Sequence, residues 1–356
     1  MSGVGTVEVG DLRSPRQRSR TGPRGRRRAR TGTVCLALAL TAVAAAVFAL
    51  GSGDYHIAAT DVIKALTGGG DAGDRLVVRE LRLPRVATAL AAGAALALAG
   101  AISQSMVRNP LGSPDMLGFT QGASTGALVV VVVAGGGSAA LAGGAVVGGA
   151  AAGILIFALA RHGGMHGNRL VMVGIGVTAI LTGVNSYLLT KAQLTDAARA
   201  MLWLTGSLDG RGWNDAAPVL VGLALATPAA ALGLSRSLRM LELGDDAAHA
   251  LGVRTAGTRI LALTCTVLLS ALAAAAAGPV AFVALTAPQL ARRLTRAPGP
   301  NLLPSALLGS ALLVVSDWLA QHAVPGRQVP AGVVTGLFGG CYLIWLLAVG
   351  QDRRRT

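Results

Sequence analysis

The chain of 356 residues carries 31 Lys and Arg against 16 Asp and Glu, a formal net charge of +15, yet 53% of it is hydrophobic and 13% charged, with a mean hydropathy of +0.60. Soluble domains average about 25% charged residues, so the composition excludes an ordinary soluble domain and points to a membrane protein. Nor does the positive charge suit a nucleic-acid surface, because the basic residues cluster at the chain ends and in short links between apolar runs. Cys35, Cys265 and Cys341 lie far apart inside apolar runs, which gives neither a disulfide framework nor a metal site and reads as small buried thiols.

Residues 1–31 are rich in Arg, Ser, Gly and Pro. Arg24, Arg26, Arg27, Arg28 and Arg30 crowd together with nothing apolar to bury, the composition of a disordered basic tail. The apolar run 33–50 could be the core of a cleaved signal, but the many apolar runs downstream favour a retained first helix. A crossing takes ~20 helical residues, and runs of about that length follow at 86–107, 115–134, 139–160, 170–190, 216–234, 258–277, 302–321 and 331–349, with a shorter one at 280–290. The expectation is an all-α membrane protein with ten transmembrane helices in one domain, residues 32–350, and a short basic tail, 351–356.

Lys and Arg in the links set the orientation. With the N-terminus inside, the inside links hold Arg108, Arg161 with Arg169, the group Arg236, Arg239, Arg254 and Arg259, the group Arg292, Arg293 and Arg296, and Arg353 to Arg355. The outside links are uncharged or balanced. Both termini are therefore expected in the cytoplasm of a bacterial cell, beneath its inner or plasma membrane.

Small residues recur four apart at Gly118, Gly122 and Gly126, at Gly144 and Gly148, and at Gly332, Gly336 and Gly340. Such stripes let helix backbones approach closely, so the expectation is helix packing rather than a path for solute. No phosphate-binding loop, zinc-protease motif or nucleophile with its base is visible. Asp317 is the main ionisable residue inside a span, read as a helix-end cap or a group at a wet interface. A chain without an engine either is passive or borrows its energy.

Against that background the link "LELGDDAAHALGV", 241–253, stands out. Asp245 and Asp246 fall where a helix start takes acceptors and negative charge, and Gly252 where a helix end takes a left-handed residue. Between them lies a helix of about two turns with Ala247, Ala248 and Leu251 on one side. Alone, so short a helix is marginal. Either its own protein or a partner must order it.

Ordered motifs carry a resemblance: "RLPRVATALAAGAALALAGAISQSMVRNPLGSPDMLGFTQGAS" at 82–124, "WLTGSL" at 203–208, "LGDDAAHALGV" at 243–253, "GPVAFVALTAPQLARRL" at 278–294 and "VPAGVVTGLFGGCYLIWLL" at 329–347. From about Leu76 to Leu347 the chain resembles the FecCD-type permeases, membrane subunits of ABC importers for iron-siderophores, haem and vitamin B12. The resemblance implies a type II ABC importer permease architecture. It also implies two ATPase subunits inside, a solute-binding protein outside, a second permease subunit, and a ferric siderophore or related metal chelate as cargo. It implies neither a cofactor nor a catalytic group on this chain.

By the same resemblance Gly244, Asp245, Asp246, Ala247, Ala248, Leu251 and Gly252 form the ATPase-coupling helix. Arg82 and Arg85, with Arg327, match the arginines that dock the binding protein, and Asn185 and Ser186 line the path. The chain departs from the family at Gln289, where a His is usual, at Gln328, where a Glu is usual, and at Cys341, where a Pro is usual. The alternative reading is a secondary transporter driven by an ion gradient, with broken helices and ion-coordinating groups at midplane; Pro279 and Pro288 leave it open.

Overall fold

The computed structural model describes residues 23–53, 55–161, 167–324 and 328–352. They form helices: α1 (Pro23–Gly51), α2 (Ala59–Thr67), α3 (Ala72–Leu76), α4 (Leu83–Val107), α5 (Phe119–Val129), α6 (Ser138–Arg161), α7 (Gly167–Lys191), α8 (Leu194–Leu204), α9 (Trp213–Ala229), α10 (Ser235–Leu241), α11 (Asp245–Ala250), α12 (Thr255–Ala277), α13 (Val283–Thr295), α14 (Leu302–His322) and α15 (Ala331–Asp352). No strand occurs among the described residues.

Among the described residues seven helices are long and apolar enough to cross a membrane, and Phe119–Ala134 and Ala331–Leu346 are shorter apolar helices. The run expected as an eighth span is α13, with 13 residues. At 1.5 Å per residue it spans about 20 Å of a hydrocarbon core about 30 Å thick. The expected count of ten crossings is thus seven by length, plus shorter pieces. Helix α1 starts at Pro23, so residues 23–31 of the expected tail are helical. Proline suits a first helical position and arginine is a good helix former. Arg30 is tied down as well, Nε donating to the Leu294 carbonyl at 3.0 Å.

Helix α4 is the hub. Nearly all of it is buried, against α9, α12, α13 and α14. Ala, Gly and Ser make this possible, because small side chains let several backbones approach one helix. A methyl at Gly93 would overlap the Gly309 carbonyl of α14, and one at Gly100 the Ala284 carbonyl of α13. The expected glycine packing also holds between α5 and α6, where Gly126 meets Gly144 and Gly122 meets Gly148. On α15 it holds at Gly332, against the Thr205 carbonyl, whereas Gly336 and Gly340 face open space.

The short helices α2, α3 and α8 were not expected. Helix α2 turns Val62 and Ala65 onto α1, in a cluster with Ala46, Leu50, Ile57, Val78 and Val86. Arg79 closes its C-terminus by donating to the carbonyls of Ala65 (2.8 Å) and Leu66 (2.7 Å). Of the thiols, Cys265 is buried as expected, but Cys341 is exposed on α15.

Candidate functional site

The link 241–253 is built on two glycines. Gly244 precedes α11 with φ 113° and ψ 159°, a conformation that costs a side chain strain. Gly252 ends the helix at φ 80°. There Val253 N donates to Ala248 O (3.0 Å) and Gly252 N to His249 O (2.9 Å), the paired bonds of a Schellman cap. The left-handed end expected at Gly252 is thus present.

The start differs from expectation. No side chain caps α11, because the capping position is Gly244; Asp245 and Asp246 put their charge in the first turn as expected, and the Asp245 carboxylate is taken by Arg259 at 2.7 Å, with Arg108 at 3.9 Å. Arg259 is itself buried, so its charge needs that carboxylate more than the helix end does. Ala248, expected on an open face with Ala247, is fully buried against Leu238 and Leu241 in the main core. The face left open holds Asp246, Ala247, His249, Ala250 and Leu251, beside an exposed Leu243. Upstream, Glu242 Oε1 accepts from the Ser105 hydroxyl at 2.7 Å and lies 3.5 Å from Arg292 Nη2.

At the opposite end, Arg82 donates to the carbonyls of Leu50 (2.8 Å) and Tyr55 (2.6 Å). Arg85 grips Asp317 with Nε on Oδ2 (2.9 Å) and Nη2 on Oδ1 (3.0 Å), and reaches Asp209 at 3.4 Å. Gln321 Nε2 adds a bond to Asp317 Oδ2 at 2.9 Å. Asp317, 5% exposed, neither caps a helix nor meets water: it is the buried partner of Arg85, a forked arrangement that satisfies both carboxylate oxygens. Arg327 lies outside the described residues.

Between these ends a cavity of about 650 Å³ opens among α5, α7, the 279–285 stretch and α15. Asn185 lies in its wall, largely buried, accepting from Thr125 Oγ1 at 2.7 Å and donating to Gln121 Oε1 at 3.1 Å. The expected pore residue is therefore also the hydrogen-bonded link between α5 and α7. Ser186 is exposed beside it and donates to the Thr182 carbonyl at 3.0 Å. Asp115, Thr120, Gln121 and Phe282 also line the cavity and were not expected there; Thr120 donates to Asp115 Oδ1 at 2.6 Å.

The 278–282 stretch is the break between α12 and α13, and Phe282 sits at φ 67°. Non-helical backbone at membrane depth is tolerated where protein or a cavity covers it. Gly278-Pro279, a pair of helix-ending residues inside an apolar run, was the sequence signal for that break.

Comparison with known proteins agrees with this geometry. The family model described as the FecCD transport family matches residues 38–349. The ferric enterobactin transport system permease protein FepG of Escherichia coli (strain K12) is 45% identical over 313 residues, covering 88% of this chain and 94% of the relative. The achromobactin transport system permease protein CbrC of Dickeya dadantii (strain 3937) is 37% identical over 309 residues, covering 86% and 88%. Among solved structures, a metal-chelate type ABC transporter in an inward-facing conformation superposes with a TM-score of 0.79 at 27% identity, over 89% of this chain and 99% of that one.

Proposed function

Because the chain belongs to the FecCD transport family, we propose that it is the membrane-spanning subunit of an importer that carries a ferric siderophore or related metal chelate into the cytoplasm, using ATP hydrolysed on two separate subunits. The open face of α11 carries this reading: a short helix, locked by a glycine at each end and by Asp245–Arg259, presents Ala247, Ala250 and Leu251 outward instead of burying them. An apolar face held that rigidly costs little order to dock. An ATPase is the fitting occupant, since the sequence has no phosphate-binding loop of its own.

A second permease subunit, identical or related, would complete the path. The open glycines Gly176 and Gly183 on α7, and Gly336 and Gly340 on α15, support close approach of another helix there. The cavity beside α7 and α15 would then become part of a shared passage that opens alternately to the two sides. Its wall is largely apolar, with polar groups around Asn185, Ser186 and Gln121 and the Asp115 carboxyl held by Thr120, and holds a bulky solute loosely. On the outer face a solute-binding protein would dock over the rim around Arg82 and Arg85. Arg82 and Arg85 act there chiefly by shaping the rim, since each is engaged within the chain. Ferric enterobactin and achromobactin, named for the two relatives, support iron chelates as the cargo class.

Ala247→Arg tests the reading, because it places a bulky charge on the open face while Ala248 keeps its packing. The expected result is a folded permease that no longer retains its ATPase subunits and loses ATP-dependent uptake. The break at 278–282 favours the secondary-transporter reading to the extent that such proteins use broken helices. Uptake that survives loss of the ATPase and follows an ion gradient would establish that alternative.

A further inference from the structure

Helix α13 touches both the link that holds α11 and the cavity, and its contacts at the two ends differ in kind. At its C-terminal end Arg292 Nη2 donates to Ser105 Oγ at 3.0 Å and lies 3.5 Å from Glu242 Oε1, while the Ser105 hydroxyl donates to the same Glu242 oxygen at 2.7 Å. Glu242 is the residue that ends α10, just upstream of Gly244 and α11. At its N-terminal end α13 begins from Phe282, which lines the cavity and lies against Gly339 of α15, where a methyl would collide with the ring. The fold therefore joins the link to the cavity wall through one 13-residue helix.

Along its length α13 is tied to α4 and to the loop that follows α4. Gln104 Nε2 donates to the Leu285 carbonyl at 3.0 Å, Gln289 Nε2 to the Pro110 carbonyl at 2.8 Å, and the backbone at Ala284 rides against Gly100 without an intervening side chain. Pro288 removes one internal hydrogen bond, at Ala284, yet the helix runs through it. The 278–282 break makes α13 a helix separate from α12. Nor is the triad saturated: Arg292 Nε is buried and meets no acceptor among the described residues. A buried donor without a partner is uncommon and calls for a reason. Exchange of partners as the link shifts supplies one.

We propose that α13 is a connecting rod: the Glu242–Ser105–Arg292 triad takes up displacement of the coupling link and moves Phe282, which widens or narrows the cavity. Glu242, Ser105 and Arg292 are positioning residues, acting on the path through α13 rather than touching cargo. The inference rests on the importer reading above, and supplies the route by which motion at an ATPase would reach the cavity.

The test uses the assembled transporter with its ATPase subunits, its native cysteines replaced by alanine because Cys341 is exposed, and an Ala281→Cys variant beside Phe282 in the cavity wall, whose labelling by a thiol reagent is measured nucleotide-free and vanadate-trapped. The expected result is a several-fold change in labelling rate between the two states. Adding Glu242→Arg should abolish that change and uncouple uptake from hydrolysis while the ATPase is still retained. Adding Arg292→Glu should restore both, by rebuilding the pair in reverse; a merely structural role would instead lower the thermal midpoint or the ATPase retention of the Glu242→Arg chain. Glu242→Gln, which keeps the side chain's shape, serves if charge reversal impairs assembly, and should reduce the change in the same direction. Labelling that ignores nucleotide state while hydrolysis and uptake are intact, or that responds normally in the Glu242 variants, overturns the rod alone. A parent chain that retains no ATPase overturns the importer reading, and the rod with it.

Discussion

Removing one member of an ion pair that is closed to water leaves the other charge buried and unpaired, which is why Arg85 and Asp317 have more at stake than surface charges do. Their side chains are 16% and 7% exposed, and breaking such a pair costs roughly 3–5 kcal/mol. Asp317→Asn should therefore lower the thermal midpoint of the detergent-solubilised protein markedly, with Asp209, at 3.4 Å, a weak substitute because it is mostly exposed. Replacing both partners, Arg85→Met with Asp317→Leu, removes the charges together and should recover most of the loss. If the double variant melts normally but no longer binds its solute-binding protein, Arg85 acts at the outer surface as well as inside. Asp317 was legible in the sequence as an unusual group within a span. Its partner was not, because it lies 232 residues away and pairs only through the crossing of α4 and α14. The same blindness affected Asp245: the sequence marks a helix start, but whether a nearby arginine claims the carboxylate depends on how α12 packs.

Among the helices, the α5–α6 contact is set by size alone. Gly122 and Gly126 meet Gly148 and Gly144 so closely that added methyls would overlap backbone atoms. Overfilling a packed contact costs typically 1–3 kcal/mol, and more where backbones themselves must part. Gly126→Leu should lower the thermal midpoint and the yield of folded protein, whereas Gly336→Leu, in open space, should leave a lone chain's melting unchanged. Equal effects of the two would deny that close approach distinguishes the stripes. The four-residue spacing made both stripes visible, but spacing cannot say which stripe faces its own chain. Helix existence was read well because long apolar runs dominate it. Helices α2 and α13 were read poorly: α2 is short and buries only one face, and α13 joins an apolar start to a basic end, so neither resembles a uniform span. Ala248 was misplaced for a related reason, since on so short a helix the sequence does not tell an inward face from an outward one.

For the molecule as a whole, orientation decides whether the open face of α11 and the Arg85 rim lie on opposite sides in the sense that import requires. Helical connectivity separates the two features but says nothing of which is inside; the basic links do, because Lys and Arg are retained on the cytoplasmic side. Arg108 and Arg259 pair with Asp245 at the start of α11 and Arg292 lies against Glu242 just before it, whereas the turn at 135–137 carries Gly135, Gly136 and Gly137 and no charge. Labelling in intact cells by a membrane-impermeant thiol reagent tests this. The native thiols must first be replaced by alanine, since Cys341 is exposed. Gly137→Cys stands in open space and Leu251→Cys at a position 59% exposed, so both should react once access is given. With the chain expressed without partner subunits, so that nothing covers α11, Gly137→Cys should be labelled from outside, and Leu251→Cys only after the cells are permeabilised. Labelling of Leu251→Cys in intact cells would place the coupling face outside, where no ATP is supplied, and the importer reading would fall with the orientation.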